Sequence, residues 1–210
     1  MADPAPRPLV VLHGYEDPPG RRRVVPPDDP RWHLLEPRGP VELAGGPAWF
    51  ASDDDGPVEA QLMASVRLVQ AVVGSADPDG DHHRVTVGGF SQGGAVALAA
   101  ALSAGVDPAG AGQTDEPDVH RPPGAVFCVN GWLPHAPALG YDPAALVASG
   151  TRVLVVASTD DEVVPVLQGR SAARWLERAG VDAAYVEVPG GHAVGPEARA
   201  AVVAWLDESP

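Results

Sequence analysis

The sequence predicts an α/β fold built on a mostly parallel sheet, and three observations carry that prediction. Short, continuous apolar runs recur at Pro8–Leu12, Ala125–Val129 and Arg152–Ala157, the pattern of strands buried on both faces. Stretches with helical spacing alternate with these runs, as in chains that wind helices around a parallel sheet. Between one such strand and helix stands the glycine-punctuated junction Gly89-Phe90-Ser91-Gln92-Gly93.

Along the chain, Pro8-Leu9-Val10-Val11-Leu12 reads as a first strand that ends at His13-Gly14. Asp17 to Pro30 is rich in Pro, Arg and Asp and reads as a loop. Trp32-His33-Leu34-Leu35 is a second strand, followed by a Pro/Gly-rich excursion to Gly46. From Val58 to Val73, Leu62, Val66, Val69 and Val73 fall on one helical face. Arg84–Gly88 is the strand before Ser91, and Gly94–Leu102 the helix after it. Asp107 to Pro123 is polar and aperiodic and reads as a surface loop. Gln168–Ala179 is a helix with Gly180 as its stop. Ala183–Val188 is the last strand, and Pro196–Leu206 a closing helix with proline in its first turn. There are no internal repeats, and 210 residues suit one domain spanning 1–210.

Composition narrows the partners. Asp plus Glu number 28 against 14 Lys plus Arg, a formal net charge of -14, so nucleic acid and anionic membrane surfaces would repel the chain. No apolar run approaches the length of a membrane span, and no charged-then-apolar leader opens the sequence. The single cysteine, Cys128, excludes an intrachain disulfide and sits in an apolar run as a small buried hydrophobe. A cytoplasmic protein is the expectation.

The chemistry begins at Ser91. A serine on a sharp strand-to-helix turn presents its hydroxyl at the surface of the sheet edge. Flanking glycines avoid a Cβ that would crowd the turn, and the helix N-terminus behind it favours developing negative charge. The bland alternative is a Gly-rich turn whose serine caps the helix. A serine nucleophile requires a base, and the base an acid to orient it. After such a serine these follow in the order acid, then histidine. Of the seven histidines, only His192 follows the candidate acids, in the loop between the last strand and the closing helix. The acid belongs after the Arg152–Ala157 strand, where Asp160, Asp161 and Glu162 stand together and the residues alone leave the choice among them open. Two N–H donors for an oxyanion would come from the backbone of Gln92 and from the loop His13-Gly14-Tyr15. His13 is a catalytic residue type, but its position reads as structural.

Gly88-Gly89-Phe90-Ser91-Gln92-Gly93-Gly94-Ala95 resembles the nucleophile motif of the carboxylesterase/acyl-protein thioesterase family of α/β hydrolases, including its Phe and Gln. Leu12-His13-Gly14, Trp49-Phe50, Gly131-Trp132-Leu133-Pro134, Asp161-Glu162-Val163-Val164-Pro165 and Gly191-His192 resemble further family signatures in the same order. The resemblance spans nearly the whole chain. It implies an α/β-hydrolase fold, a mostly parallel central sheet flanked by helices with a minimal cap. It also implies Asp161 as the acid, four residues before Pro165, giving a triad of Ser91, Asp161 and His192 with an oxyanion hole from the backbones of Tyr15 and Gln92. Trp49, Phe50, Trp132, Leu133 and Val163 are expected either to wall the acyl pocket or to pack in the core.

The expected activity is hydrolysis of a small-molecule ester or thioester through an acyl-serine, with no metal and no organic cofactor. Members of the family often pair, so a homodimer is an expectation. Alternatives are a lactone or dienelactone-type hydrolase on the same triad, or an inactive hydrolase fold that binds a ligand. Three departures from the family pattern stand out. Tyr15-Glu16 replace the usual Leu-Gly beside the oxyanion loop, and Asn130 stands where serine is common. The Asp107–Pro123 stretch is also longer than usual.

Overall fold

A computed structural model describes residues 5–21, 24–53, 56–77, 79–103 and 121–208. The elements follow in the order β1 (Arg7–Leu12), β2 (Trp32–Leu35), β3 (Val41–Leu43), β4 (Gly46–Ala48), β5 (Ser52–Asp53), β6 (Gly56–Pro57), α1 (Glu59–Ala76), β7 (Thr86–Phe90), α2 (Gln92–Leu102), β8 (Ala125–Val129), α3 (Pro143–Ser149), β9 (Arg152–Ser158), α4 (Val166–Arg178), β10 (Asp182–Val188) and α5 (Pro196–Asp207). Six strands form one sheet in the order β10-β9-β8-β7-β1-β2, and every pairing in it is parallel. The α/β-hydrolase architecture expected from the sequence is the one observed.

Side-chain alternation explains the layering. In a strand, successive side chains point to opposite faces. Val10, Leu12, Val87, Val126, Cys128, Val153 and Val155 face one core, which α1, α2 and α4 cover through residues such as Val66, Leu98 and Leu176. Leu9, Val11, Phe127, Val129, Leu154 and Val156 face the other, which α5 covers with Ala198, Val202, Trp205 and Leu206. Both faces are covered, so the strands read as unbroken apolar runs. All residues of α2 are buried, which makes it the central helix under the sheet edge. Cys128 is fully buried, and burial pushes its thiol up to about 12.

Several boundaries shift for visible reasons. The strand expected at Arg84–Gly88 begins at Thr86, because His82–Arg84 form a tight turn capped by the Asp81 side chain, which accepts from His83 N–H. Helix α4 starts two residues before the expected Gln168, directly after Pro165. It ends as expected against Gly180, whose φ of 81° is costly for a residue with a Cβ. The excursion after β2 contains the β3–β4 hairpin, paired Val41 to Ala48 and Leu43 to Gly46. Most of the loop expected from Asp107 to Pro123 lies outside the described residues. Helix α3, absent from the sequence reading, carried its signals openly: Asp142 accepts from Ala144 N–H at 3.1 Å, Pro143 is the first helical residue, and Gly150 closes the helix at φ 68°. Among the described residues, no helix is long and apolar enough to cross a membrane.

Candidate active site

Strand β7 delivers Ser91 at the C-terminal edge of the sheet. Its φ of 55° and ψ of -121° lie far outside the regions a serine favours, a conformation costing about 1–3 kcal/mol that the surroundings must over-determine. They do so at both ends. Ser91 N–H donates to Val129 O at 2.8 Å, and Ser91 O accepts from Ala95 N–H at 3.0 Å, tying the turn to β8 and to α2. The two motif glycines are required by space. A Cβ on Gly89 would fall 2.5 Å from Leu12 O, and one on Gly93 would fall 2.4 Å from both Leu12 O and His13 O. The elbow therefore exists only because β1 and β7 approach α2 backbone to backbone.

His192 follows β10 and lies in the loop before α5. Its Nε2 is 2.9 Å from Ser91 Oγ, and its Nδ1 is 2.7 Å from Asp161 Oδ2. The ring also leans on Phe90, with centroids 4.7 Å apart. Asp161 comes from the loop after β9, and its side chain is fully covered while that of His192 is 19% exposed. The second carboxylate oxygen, Oδ1, accepts from Val163 N–H at 2.9 Å and Val164 N–H at 2.8 Å. With one oxygen engaged by two backbone donors, the other is left to face imidazole Nδ1–H. Of the three adjacent carboxylates, Asp160 instead accepts from Gly190 N–H at 3.3 Å and Thr159 Oγ1–H at 3.1 Å, and Glu162 is exposed. The arrangement can withdraw a proton from Ser91 and stabilise the imidazolium that results.

A cavity of about 550 Å³ opens above Ser91, lined by Tyr15, Asp17, Ser52, Phe90, Gln92, Trp132, Val163, Val164, Pro165, Gln168 and His192. That size suits a small-molecule site. Trp132 and Val163 are on its wall. Trp49 and Phe50 are not. Both are fully buried in the core, held there by the Gln92 side chain, which accepts from Trp49 N–H at 2.8 Å and donates to Phe50 O at 2.6 Å. Phe50 reaches the cavity only indirectly, edge-on against Trp132 at 6.3 Å. Leu133 packs half-buried against the core rather than on the wall. Asp17, Ser52 and Gln168 were missed as lining residues, since no local pattern distinguishes them.

Tyr15 and Gln92 both line the cavity beside Ser91. Gln92 is the first residue of α2, so its N–H has no partner within the helix. Residues 14–17 form a turn closed by Asp17 N–H to Gly14 O at 3.3 Å, and Tyr15 N–H takes no part in that hydrogen bond. Glu16 occupies the left-handed region at φ 53°, a conformation uncommon for a residue with a Cβ. Its carboxylate accepts from Gly45 N–H at 3.0 Å in the β3–β4 turn, so the hairpin braces the altered loop.

His13 has structural partners. Its Nδ1–H donates to Gly14 O at 2.7 Å, and its Nε2 accepts from Gly39 N–H at 2.8 Å, which fixes a neutral tautomer. It stacks on Trp49 at 4.9 Å. Burial holds its pKa below the ordinary value. A depressed folded-state pKa makes this residue's contribution fully present above about pH 6.5 and lost as pH falls through the window below it. Thermal unfolding measured between about pH 7 and pH 5 is therefore expected to show a falling Tm, with a shallower slope in His13→Gln. An unchanged slope would mean that His13 titrates alike in the folded and unfolded chain.

Comparison with known proteins places these observations. The sequence model of a family described as Phospholipase/Carboxylesterase matches residues 2–208. A probable carboxylesterase of Arabidopsis thaliana, described as SOBER1-like, is 29% identical over 186 residues, covering 82% of this chain and 64% of the relative. The chain thus spans 64% of that relative's length. In fold it is similar to Zea mays acyl-protein thioesterase 2, with a TM-score of 0.74 at 24% identity over 97% of this chain and 94% of that one. It is also similar to the Bacillus cereus carboxylesterase, with a TM-score of 0.70 at 17% identity over 99% of this chain and 91% of that one.

Proposed function

The chain belongs to the phospholipase/carboxylesterase family, and from that premise we propose that it is a serine hydrolase cleaving carboxylic esters or thioesters through an acyl-serine intermediate. The observation that carries this reading is His192 bridging Ser91 Oγ at 2.9 Å and Asp161 Oδ2 at 2.7 Å. His192 Nε2 takes the hydroxyl proton as Ser91 Oγ adds to the acyl carbon. The N–H groups of Tyr15 and Gln92 receive the tetrahedral oxyanion, each donor worth about 2.7–4 kcal/mol. As the intermediate collapses, Nε2–H protonates the departing alkoxide or thiolate. Water then adds to the acyl-serine with Nε2 again as base, and the carboxylic acid leaves with Ser91 restored. Asp161 keeps the proton on Nδ1 throughout. No step requires a metal or an organic cofactor.

The cavity supports a small substrate. Trp132 stands on the wall with Phe50 packed behind it, so an acyl chain extending that way meets packed core. Hydrolysis of p-nitrophenyl esters from acetate to laurate is expected to peak at the short end of the series. A fluorophosphonate is expected to label Ser91. Folded protein that is inert across the series and unlabelled would overturn the reading.

A further inference from the structure

His192 sits at the centre of a three-residue turn, closed by Ala193 N–H donating to Gly191 O at 2.8 Å. One buried side chain from a different part of the fold touches both flanks of that turn. Asn130 lies at the end of β8 and is 2% exposed. Its Nδ2 is 3.3 Å from Gly191 O, 3.1 Å from Ala193 O and 3.0 Å from Ser158 Oγ. Its Oδ1 accepts from Ser158 N–H at 2.8 Å. That contact fixes the orientation of the amide, because turning it over would set an oxygen against two carbonyls and an N–H against an N–H.

The backbone of Asn130 is held as firmly as its side chain. Asn130 N–H donates to Val156 O at 2.8 Å, extending the pairing of β8 with β9. Its φ of 49° lies in the left-handed region, which asparagine enters more readily than most residues with a side chain. On its approach, the histidine loop is tied down by Thr159 N–H to Val188 O at 2.9 Å and Asp160 N–H to Gly190 O at 3.0 Å. Past residue 190, the Asn130 amide ties the carbonyls on both sides of the imidazole to the sheet edge. A serine at this position would have one hydroxyl proton and a shorter reach, so it could not engage both carbonyls.

We infer that Asn130 is a positioning residue for His192, its amide locking the 191–193 turn to the ends of β8 and β9 so that Nε2 meets Ser91. This rests on the serine hydrolase reading. Asn130→Asp keeps the left-handed backbone and the acceptor for Ser158 but turns a carboxylate oxygen toward the two carbonyls. Asn130→Gly keeps the backbone and removes every side-chain contact. Both variants are expected to lose about 10–100-fold in kcat, with KM held within about twofold, because misplacing a base by about an ångström costs that much. The rate of fluorophosphonate labelling should fall in proportion. In proton NMR, the far-downfield Nδ1–H resonance of His192 should broaden or move.

A purely structural role would lower Tm while leaving kcat of the folded variant and that resonance at native values, and that result would overturn the inference. If neither variant accumulates as folded protein, the amide serves the fold rather than the base, and the inference is likewise overturned. The hydrolase reading survives both results so long as native protein turns over and Ser91→Ala does not. Native protein inert to esters and to fluorophosphonate would remove that reading, and this inference with it.

Discussion

Ser91→Ala is expected to lower kcat toward p-nitrophenyl esters by about six orders of magnitude, the loss seen when a triad nucleophile is removed and only binding and oxyanion contacts remain. The size follows from the geometry. Ser91 Oγ is the atom His192 Nε2 faces at 2.9 Å, so deleting it leaves no group for the base to activate. The fold should be indifferent. Ser91 holds the elbow through its backbone N–H and C=O, to Val129 and Ala95, and the glycines that admit the turn are unchanged. Circular dichroism and Tm should stay near native while fluorophosphonate labelling disappears. Residual activity within about tenfold of native, or labelling that persists, would place the nucleophile elsewhere.

Asp161→Asn is expected to cost about four orders of magnitude in kcat. The amide oxygen can still accept from Val163 and Val164 N–H, which leaves the NH₂ group facing His192 Nδ1. An N–H there favours the tautomer that carries its proton on Nε2, and Nε2–H cannot take a proton from serine. The ring would remain in place and the chemistry would stop. Asp160→Asn is the control, since that carboxylate meets Gly190 N–H and Thr159 rather than the imidazole. It should stay within about tenfold of native. If Asp160→Asn were the severe variant and Asp161→Asn the mild one, the assignment of the acid would fall.

How far the site was legible depended on what made each part local. The Ser91 elbow could be read because its constraints, a strand, two glycines and a helix, are adjacent in sequence. Strands β1, β8 and β9 were plain because burial on both faces leaves no polar alternation to blur them. The choice among Asp160, Asp161 and Glu162 was not, because it turns on which carboxylate the 163–164 backbone engages. The resemblance chose Asp161, and the geometry places the same residue beside the imidazole. For Trp49 and Phe50 the sequence leaves pocket wall and core packing equally open, and it is the Gln92 side chain, more than forty positions away, that holds them in the core. Asn130 likewise meets Gly191 and Ala193 from about sixty positions away, a relation no local pattern encodes. Helix α3 is different in kind: its aspartate cap, proline and closing glycine were all present in sequence, but its short length gave no periodicity to draw attention to them.

On the proposed mechanism, Tyr15, Val163 and Val164 would each serve the site twice, and in different atoms. Their side chains stand on the cavity wall. Val163 and Val164 orient Asp161 through peptide N–H groups, and Tyr15 would receive the oxyanion through another. Peptide groups do not change when a codon does. Mutation at these positions can therefore reshape what the cavity accepts while the reacting groups keep their places, so a lineage can drift from one acyl group to another without passing through an inactive ancestor.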